Sequence, residues 1–536
     1  MLGYILKKIY FLLSLFSFSI FANEYKNYPF DWTNHFGVAS HNGRVIWNND
    51  WMYGILFFDG TFSNYPLRYG FDTDENFSLF YNGYFPNQEA EFDTNFVDTH
   101  LLYTQGDYYL DRLFIKTRYA DKSRLLTFNG HKKTFTGPYA DYSLGIIQPI
   151  QQSYYIEYKT NKLQAAIGNF ITSSGLPDSS LNGSLNDRIL NASILTNGIN
   201  GDWKWTFYAS QYNQKYVVKH SSWYDASSQY LTRSMIQGEI INEIKDSFFI
   251  GIGFNGNIRG LSDINSFSSK KWGSIYSTLS MKSLSFESGF FSMNNDYNTF
   301  ISGLFHIERM NKGVSIEVSR RIKPSYYFIT GNDIVSGFES TESMEFLSWY
   351  SVSRITLMTK FYSQNIFDTK NKYEIFGGDF NIIFNFIQNW ILSGNIRHLV
   401  SPSIITDGVG DYLELNISGK ENLFNNNMIL FIDLGLVGWI NRDANISFNP
   451  YYCKPIIITD PNFILQDQWI LNSSVSLKVS SLKVTWKMNN MFEALRPLIN
   501  NFPDSQSKII NNYFMHINDR NMGRLLEINI EWYFSD

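Results

Sequence analysis

The sequence predicts an all-β chain folded as a transmembrane antiparallel β-barrel of the bacterial outer membrane, with roughly 16 to 22 strands. Three observations predict it. Side chains alternate between apolar and polar at every second position in segments spread along the whole chain. No stretch beyond the first 22 residues is apolar over the ~20 residues that a spanning helix needs. Aromatic residues make up 18% of the chain, with 46 Phe, 35 Tyr and 13 Trp, about twice the ordinary share. A barrel girdled by Tyr and Trp at both bilayer interfaces has a use for that excess. The mean hydropathy of −0.22 does not oppose a membrane location, because only one flank of each strand meets lipid.

The chain opens MLGYILKKIYFLLSLFSFSIFANEYK, where Lys7 and Lys8 precede the apolar run 9–21 and the small residue Ala22 precedes Asn23. This is the layout of a cleaved secretory signal peptide, residues 1–22. Taking 22 residues and two lysines from 536 residues at net charge −5 leaves 514 residues at −7. The single cysteine, Cys453, cannot form a disulfide within the chain, so stability rests on the backbone ladder and on packing. Alternation is weak over 23–65, which reads as an N-terminal cap or lumen segment within a 23–536 barrel, and is established by 97–119 (VDTHLLYTQGDYYLDRLFIKTRY).

From there the strands follow in order. In YYIEYKTNKLQAAIG, Tyr154, Ile156 and Tyr158 share one flank, and Leu163, Ala165 and Ile167 return after a turn at Thr160 and Asn161. DWKWTFYASQY sets Trp203, Trp205 and Phe207 against Lys204, Thr206 and Tyr208. DYLELNISG sets Leu413, Leu415 and Ile417 against Glu414 and Asn416, and NMILFIDLGLVGW sets Leu430, Ile432, Leu434 and Leu436 against Asp433 and Gly435. In VSLKVSSLKVTWKM, Val475, Leu477, Val479, Leu482, Val484 and Trp486 form an apolar flank, and Lys478, Lys483 and Lys487 line the other around a turn at Ser480 and Ser481. The stretches SSGLPDSSLNGSLND (173–187) and KHSSWYDASSQY (219–230) read as outer loops. No propeller or solenoid repeat is visible, and no amphipathic helix is predicted.

The last twelve residues, LLEINIEWYFSD, place Leu526, Ile528, Ile530, Trp532 and Phe534 on one flank and Glu527, Asn529 and Glu531 on the other. Together with SLKVTWKMNNMFEALRPLINNF and its Asn489, Asn490, Met491, Phe492 turn, and with Gly523 and Arg524 before the final strand, this end resembles the last two strands of plugged TonB-dependent receptor barrels and of related porins of Gram-negative bacteria. The resemblance covers about the last 65 residues and implies an outer-membrane barrel. It further implies that Leu526, Ile528, Ile530, Trp532 and Phe534 are the C-terminal signal read by the barrel assembly machinery.

Enzymatic signatures are missing: there is no HExxH, GxSxG, Walker A loop or CxxC. The eight histidines have no ligand spacing, and the acidic run with Asp72, Asp74 and Glu75 lacks the glycine and final glutamate of a calcium loop. No catalytic residue, cofactor or metal is expected. Expected partners are outer-membrane lipid and lipopolysaccharide, the barrel assembly machinery and small hydrophilic solutes, with no nucleic acid. Lys478, Lys483 and Lys487 are candidate lumen-lining residues, with Glu414, Glu527 or Glu531 as their counter-charges.

The function read from these features is a porin-like channel for passive diffusion of small hydrophilic solutes, set by pore width and lining charge. A TonB-dependent receptor-type transport barrel lacking a recognisable plug is the alternative, since strand alternation begins too early for the long plug such receptors carry. A surface-binding or adhesion barrel with a filled lumen is the third reading.

Overall fold

The computed structural model describes residues 26–29, 37–46, 96–121, 123–134, 150–175, 183–220, 224–245, 248–262, 267–293, 296–309, 311–324, 338–367, 372–400, 410–442, 445–449, 454–458, 467–499 and 524–535. The expected signal peptide, the acidic run at 72–75 and Cys453 lie outside them.

Three short strands, β1 (Lys26–Pro29), β2 (Gly37–His41) and β3 (Arg44–Ile46), form an antiparallel sheet of their own. The barrel starts with β4 (Phe96–Gly106), β5 (Leu110–Ala120), β6 (Arg124–Thr134), β7 (Ile150–Thr160) and β8 (Leu163–Gly175). Longer strands follow as β9 (Gly183–Asn200), β10 (Trp203–His220), β11 (Tyr224–Lys245), β12 (Phe248–Ser262) and β13 (Phe267–Met281). The wall continues through β14 (Leu284–Met293), β15 (Asp296–Arg309), β16 (Lys312–Pro324), β17 (Phe338–Val352), β18 (Ile355–Phe367) and β19 (Lys372–Ile387). Next come β20 (Trp390–Leu399), β21 (Asp411–Leu423) and β22 (Met428–Ile440). A separate hairpin, β23 (Asn445–Asn449) with β24 (Lys454–Ile458), leaves the wall before β25 (Gln468–Val479), β26 (Leu482–Asn489) and the final strand β27 (Leu525–Ser535). Twenty-two strands close into one ring, each antiparallel to its neighbours, an even count at the top of the expected range.

The two flanks of each strand explain the ring. Where β26 meets β27, Leu482, Val484 and Trp486 face Trp532, Ile530 and Ile528, while Lys483, Thr485 and Lys487 face Glu531, Asn529 and Glu527. Apolar side chains thus meet apolar ones on the outside, and polar side chains meet polar ones within. Trp486, Ile528, Ile530, Trp532 and Phe534 are exposed on the outer surface, whereas Thr485, Glu527 and Asn529 are buried. The same division holds in β10, where Trp203, Trp205 and Phe207 are exposed and Tyr208, Tyr212 and Tyr216 are buried. An outward apolar surface of this kind is stable only against hydrocarbon. No described helix is long and apolar enough to cross a membrane; the strands cross it.

Closure is made by β27 and β4, paired from Glu527 with Gly106 to Ser535 with Asp98. Inside this seam Thr104, fully buried, donates from Oγ1 to Asn529 Oδ1 at 2.5 Å. Arg112 donates to Thr104 Oγ1 from Nε at 3.1 Å and from Nη2 at 3.0 Å. The Asp107 carboxylate accepts the main-chain N–H of Leu526 at 3.0 Å, and His100 stacks on Tyr533 with ring centres 4.2 Å apart.

Connections at one end are tight, as at 161–162, 201–202 and 480–481, and those at the other are longer, as between β6 and β7. Tight turns mark the periplasmic end of outer-membrane barrels, and both ends of the ring, Phe96 and Ser535, lie on that side. Two sequence expectations are corrected here. The stretches read as outer loops are largely strand: Ser173 pairs with Asn186 and Gly175 with Ser184, and His220 pairs with Tyr224. The ladder runs on above the bilayer because each added rung satisfies main-chain donors and acceptors, and inward Leu185 and Asp187 are buried there while the outward flank lacks the apolar run that marks a strand against lipid. A helix, α1 (Met491–Ile499), also stands where a turn and loop were expected. It follows Asn490 at φ +55°, and its nine residues are too few for periodicity to register in a window of ~11 or more.

A ring without free edges resists detergent until heated. The unheated protein should therefore migrate apart from the boiled sample on a denaturing gel; identical migration would count against a closed ring.

Candidate functional site

The candidate site is the inner wall of the barrel and what touches it. On β9 and β10 the inward side chains Asp187, Ile189, Tyr212, Gln214 and Tyr216 are each at most 3% exposed. Tyr212 donates to Gln214 Oε1 at 2.9 Å, and Gln214 Nε2 donates to both Asp187 oxygens at 2.9 and 3.0 Å. On β6 to β8 the inward His131, Lys133, Gln151, Ser153 and Thr172 are buried as well. Side chains lining an open aqueous lumen would be wet, so this part of the wall is unlike that of a water-filled pore.

The three lysines singled out from the sequence lie on the inward flank of β25 and β26. Lys483 Nζ is 3.3 Å from Glu531 Oε1 and Lys487 Nζ is 3.4 Å from Glu527 Oε1. Lys478 is the cross-strand partner of Lys483, and Lys483 and Lys420 both approach the ring of Phe431, at 6.0 and 5.9 Å. Glu414 is not part of this group; it accepts from Tyr412 Oη at 3.1 Å. With two of the three lysines paired, the strip offers little net field to steer an anion. Leu526, Ile528, Ile530, Trp532 and Phe534 all lie on the outer flank of β27. Among the described residues no group of three or more His, Cys, Asp or Glu is arranged to hold a metal ion.

The feature that sequence reasoning missed is the turn between β2 and β3. Asn42 and Gly43, at φ +49° and +74°, form its tip, and the tip touches the barrel. Asn42 Nδ2 donates to Glu345 Oε2 on β17 at 3.0 Å, while Lys360 Nζ on β18 holds the other oxygen of the same carboxylate at 3.2 Å. Glu345 is inward, since its cross-strand partner on β18 is the buried Tyr362 and outward Met344 is exposed. Gly43 is buried beside Leu399 of β20: a Cβ built on it would lie 2.6 Å from Leu399 Cδ2. Leu399 packs in turn on the cluster of Tyr362, Ile366 and Ile375. The signal available in the sequence was the Asn-Gly dipeptide itself, a turn marker; nothing local revealed where the turn would dock.

Neither a protein family nor a curated relative matches the sequence. Solved structures do. The FrpB iron transporter from Neisseria meningitidis superimposes with a TM-score of 0.60 at 9% identity over 82% of this chain and 83% of that one. The ferripyoverdine receptor of the outer membrane of Pseudomonas aeruginosa gives 0.56 at 10% identity over 82% and 72%, and the siderophore receptor PirA from Pseudomonas aeruginosa gives 0.55 at 10% over 82% and 81%. At such identities the likeness is one of fold: the chain is a closed 22-strand outer-membrane β-barrel, the fold of these receptors. This corrects the passive channel read from the sequence. The neighbours are iron transporters and siderophore receptors rather than diffusion pores, and 22 strands is the size at which such barrels hold a plugged lumen, against 16 to 18 in open porins. The error had a physical source, because alternation reports two solvents for a strand and carries no information on how many strands close the ring.

Gly43→Val tests the docked tip. A β-branched residue at φ +74° costs about 1–3 kcal/mol and collides with Leu399, so the tip should leave the wall while the ring stays closed. The expected result is faster protease cleavage of the segment preceding β4, with heat-shifted migration retained; unchanged cleavage would mean that the tip is not held there.

Proposed function

We propose that the protein is a receptor-type transport barrel of the outer membrane, which takes a bulky ligand at its extracellular mouth and admits it only when an N-terminal segment lodged in the lumen is displaced. The ligand class we propose is a ferric chelate of the siderophore kind. The single observation that carries this reading is the Asn42–Gly43 tip on the inner wall: a strand sheet outside the ladder, joined to β17 and β20 from within.

The chemistry of the wall fits that task. Tyr208, Tyr212 and Tyr216 with Gln214, buried at rest, would be uncovered when the segment leaves and would then give flat apolar faces carrying donors and acceptors, the combination that binds a large planar or cyclic ligand. Among the described residues the tip is held by one hydrogen bond to a carboxylate, about 1.5–3 kcal/mol, plus the Gly43 contact. That is small enough for an energised partner pulling on the N-terminal segment to overcome, yet large enough to keep the lumen closed at rest. Glu345, shared between Asn42 and Lys360, is the group that links the segment to the wall. No enzymatic role is proposed.

Two measurements on the full chain test this. In a strain stripped of its own siderophore receptors, the protein should restore uptake of radiolabelled iron from at least one ferric chelate, and the uptake should stop when the TonB-type energy source is removed. In a planar bilayer, the purified barrel should show no steady conductance. Steady conductance together with no energised uptake would overturn the proposal.

A further inference from the structure

The outer flank of the barrel divides into two unlike arcs, of eight and fourteen strands. Over β6 to β13, eight consecutive strands, no outward residue among those described is acidic. The same flank carries Lys132, Arg188, Lys215 and Lys271, all exposed. Each faces out by the alternation of its own strand: Lys132 shares the flank of exposed Phe128, Arg188 that of Leu190 and Ile194, Lys215 that of Phe207, and Lys271 that of Ile275. Their inward neighbours Lys133, Asp187, Gln214 and Trp272 are buried. On the remaining arc of the ring outward acids are present, such as Glu342 beside Arg320 and Glu374 beside Lys372.

The four cations stand within one band about 10 Å tall. They lie eight to twelve residues from the periplasmic strand ends at Arg124, Asn200, Trp203 and Met281, or roughly 20–30 Å above the turns for strands rising ~3.4 Å per residue at a ~40° tilt. That is the upper edge of an apolar belt ~25 Å tall, where the head groups of the outer leaflet lie. Arg188 and Lys215 are direct cross-strand partners on this flank. Like charges so placed repel, and no carboxylate lies within ion-pair distance of any of the four among the described residues. Lys215 has a neutral neighbour, the side chain of Tyr230, which it meets by a side-chain hydrogen bond and with its Nζ 5.3 Å from the ring centre. Beside Lys132 the outer surface opens into a cleft of about 590 Å3 lined by Gln105, Tyr108, Tyr109, Asp111 and Thr134.

We infer that this strip binds the phosphates of a phosphorylated glycolipid in the outer leaflet, with Arg188 and Lys215 as a clamp on one phosphate, Lys132 and Lys271, each three strands or about 14 Å away on either side, placed for a second phosphate, and the cleft taking sugar. A doubly charged phosphate relieves the Arg188–Lys215 repulsion and accepts several charge-assisted hydrogen bonds at once. The occupant is a lipid because the strip is continuous with the lipid-facing surface: Lys271 pairs across the ladder with the exposed Ile258, and Leu190 adjoins Arg188. A soluble anion has no reason to be met by an apolar belt directly below. This inference needs the barrel to sit in the membrane and does not depend on the transport reading.

The test uses the full-length protein in detergent, with bisphosphorylated lipid A, the same lipid dephosphorylated, and phosphatidylethanolamine as probes, read by native mass spectrometry. The wild type should bind bisphosphorylated lipid A in preference to the other two, and inorganic phosphate at equal concentration should not displace it. Arg188→Gln with Lys215→Gln should bind about tenfold or more weakly, as expected for two lost charge-assisted contacts, with heat-shifted migration retained. Lys271→Gln alone should weaken binding by a smaller factor, which keeps the test valid if the double variant fails to assemble. Lys372→Gln, on the far wall and paired with Glu374, should bind as wild type. Equal binding of phosphorylated and dephosphorylated lipid, displacement by free phosphate, or wild-type affinity in the clamp variants would overturn the inference.

Discussion

A main chain in hydrocarbon has no water to bond, so every N–H and C=O at that depth needs a partner within the protein. For strands this demand has one solution, a ring with no first or last edge. The rest of the structure depends on the place where the two edges meet, β27 against β4. These strands come from opposite ends of the described barrel sequence, and the pairing forms the longest-range contact in the ring. Its inner side is held by Thr104, Arg112 and Asn529 and its outer side is apolar, so one seam serves both solvents.

Much of this was legible in the residues. Period-two alternation located the strands and assigned their flanks correctly in the β25–β26 hairpin and in β27, because in a barrel the two faces of a strand meet environments as different as lipid and a polar interior. What alternation could not resolve was number and extent. Above the bilayer the outer flank no longer meets lipid, so the apolar half of the pattern disappears although pairing continues, and 183–187 and 224–230 read as loop. The short helix at 491–499 was lost for lack of length. The lysines at 483 and 487 found counter-charges three to four ångströms away across the β26–β27 pair, which strict alternation makes readable once the register is known.

The candidate site was the least legible part, and for a physical reason. The Asn42–Gly43 tip meets Glu345 and Leu399 more than 300 residues away in the chain, and no local pattern encodes such a contact. The Glu345 carboxylate ties together what the sequence leaves apart: Asn42 from the small sheet, Lys360 from the wall, and the hydrophobic cluster around Tyr362 close by. The outer cationic strip had the opposite problem. Its residues are individually unremarkable surface lysines and an arginine, and they become a set only when the ladder register brings Arg188 to Lys215 and closure places eight acid-free flanks side by side.

The central claim is that alternate side chains of one strand face lipid and the enclosed interior. Spin labels placed singly along β27, at positions 526 to 534 in a Cys453→Ser background, measure it directly through collision with oxygen, which concentrates in hydrocarbon, and with a water-soluble nickel chelate. The account predicts high oxygen accessibility at 526, 528, 530, 532 and 534 and low values between them, a strict period of two. A flat profile, or nickel accessibility peaking at the apolar positions, would contradict it.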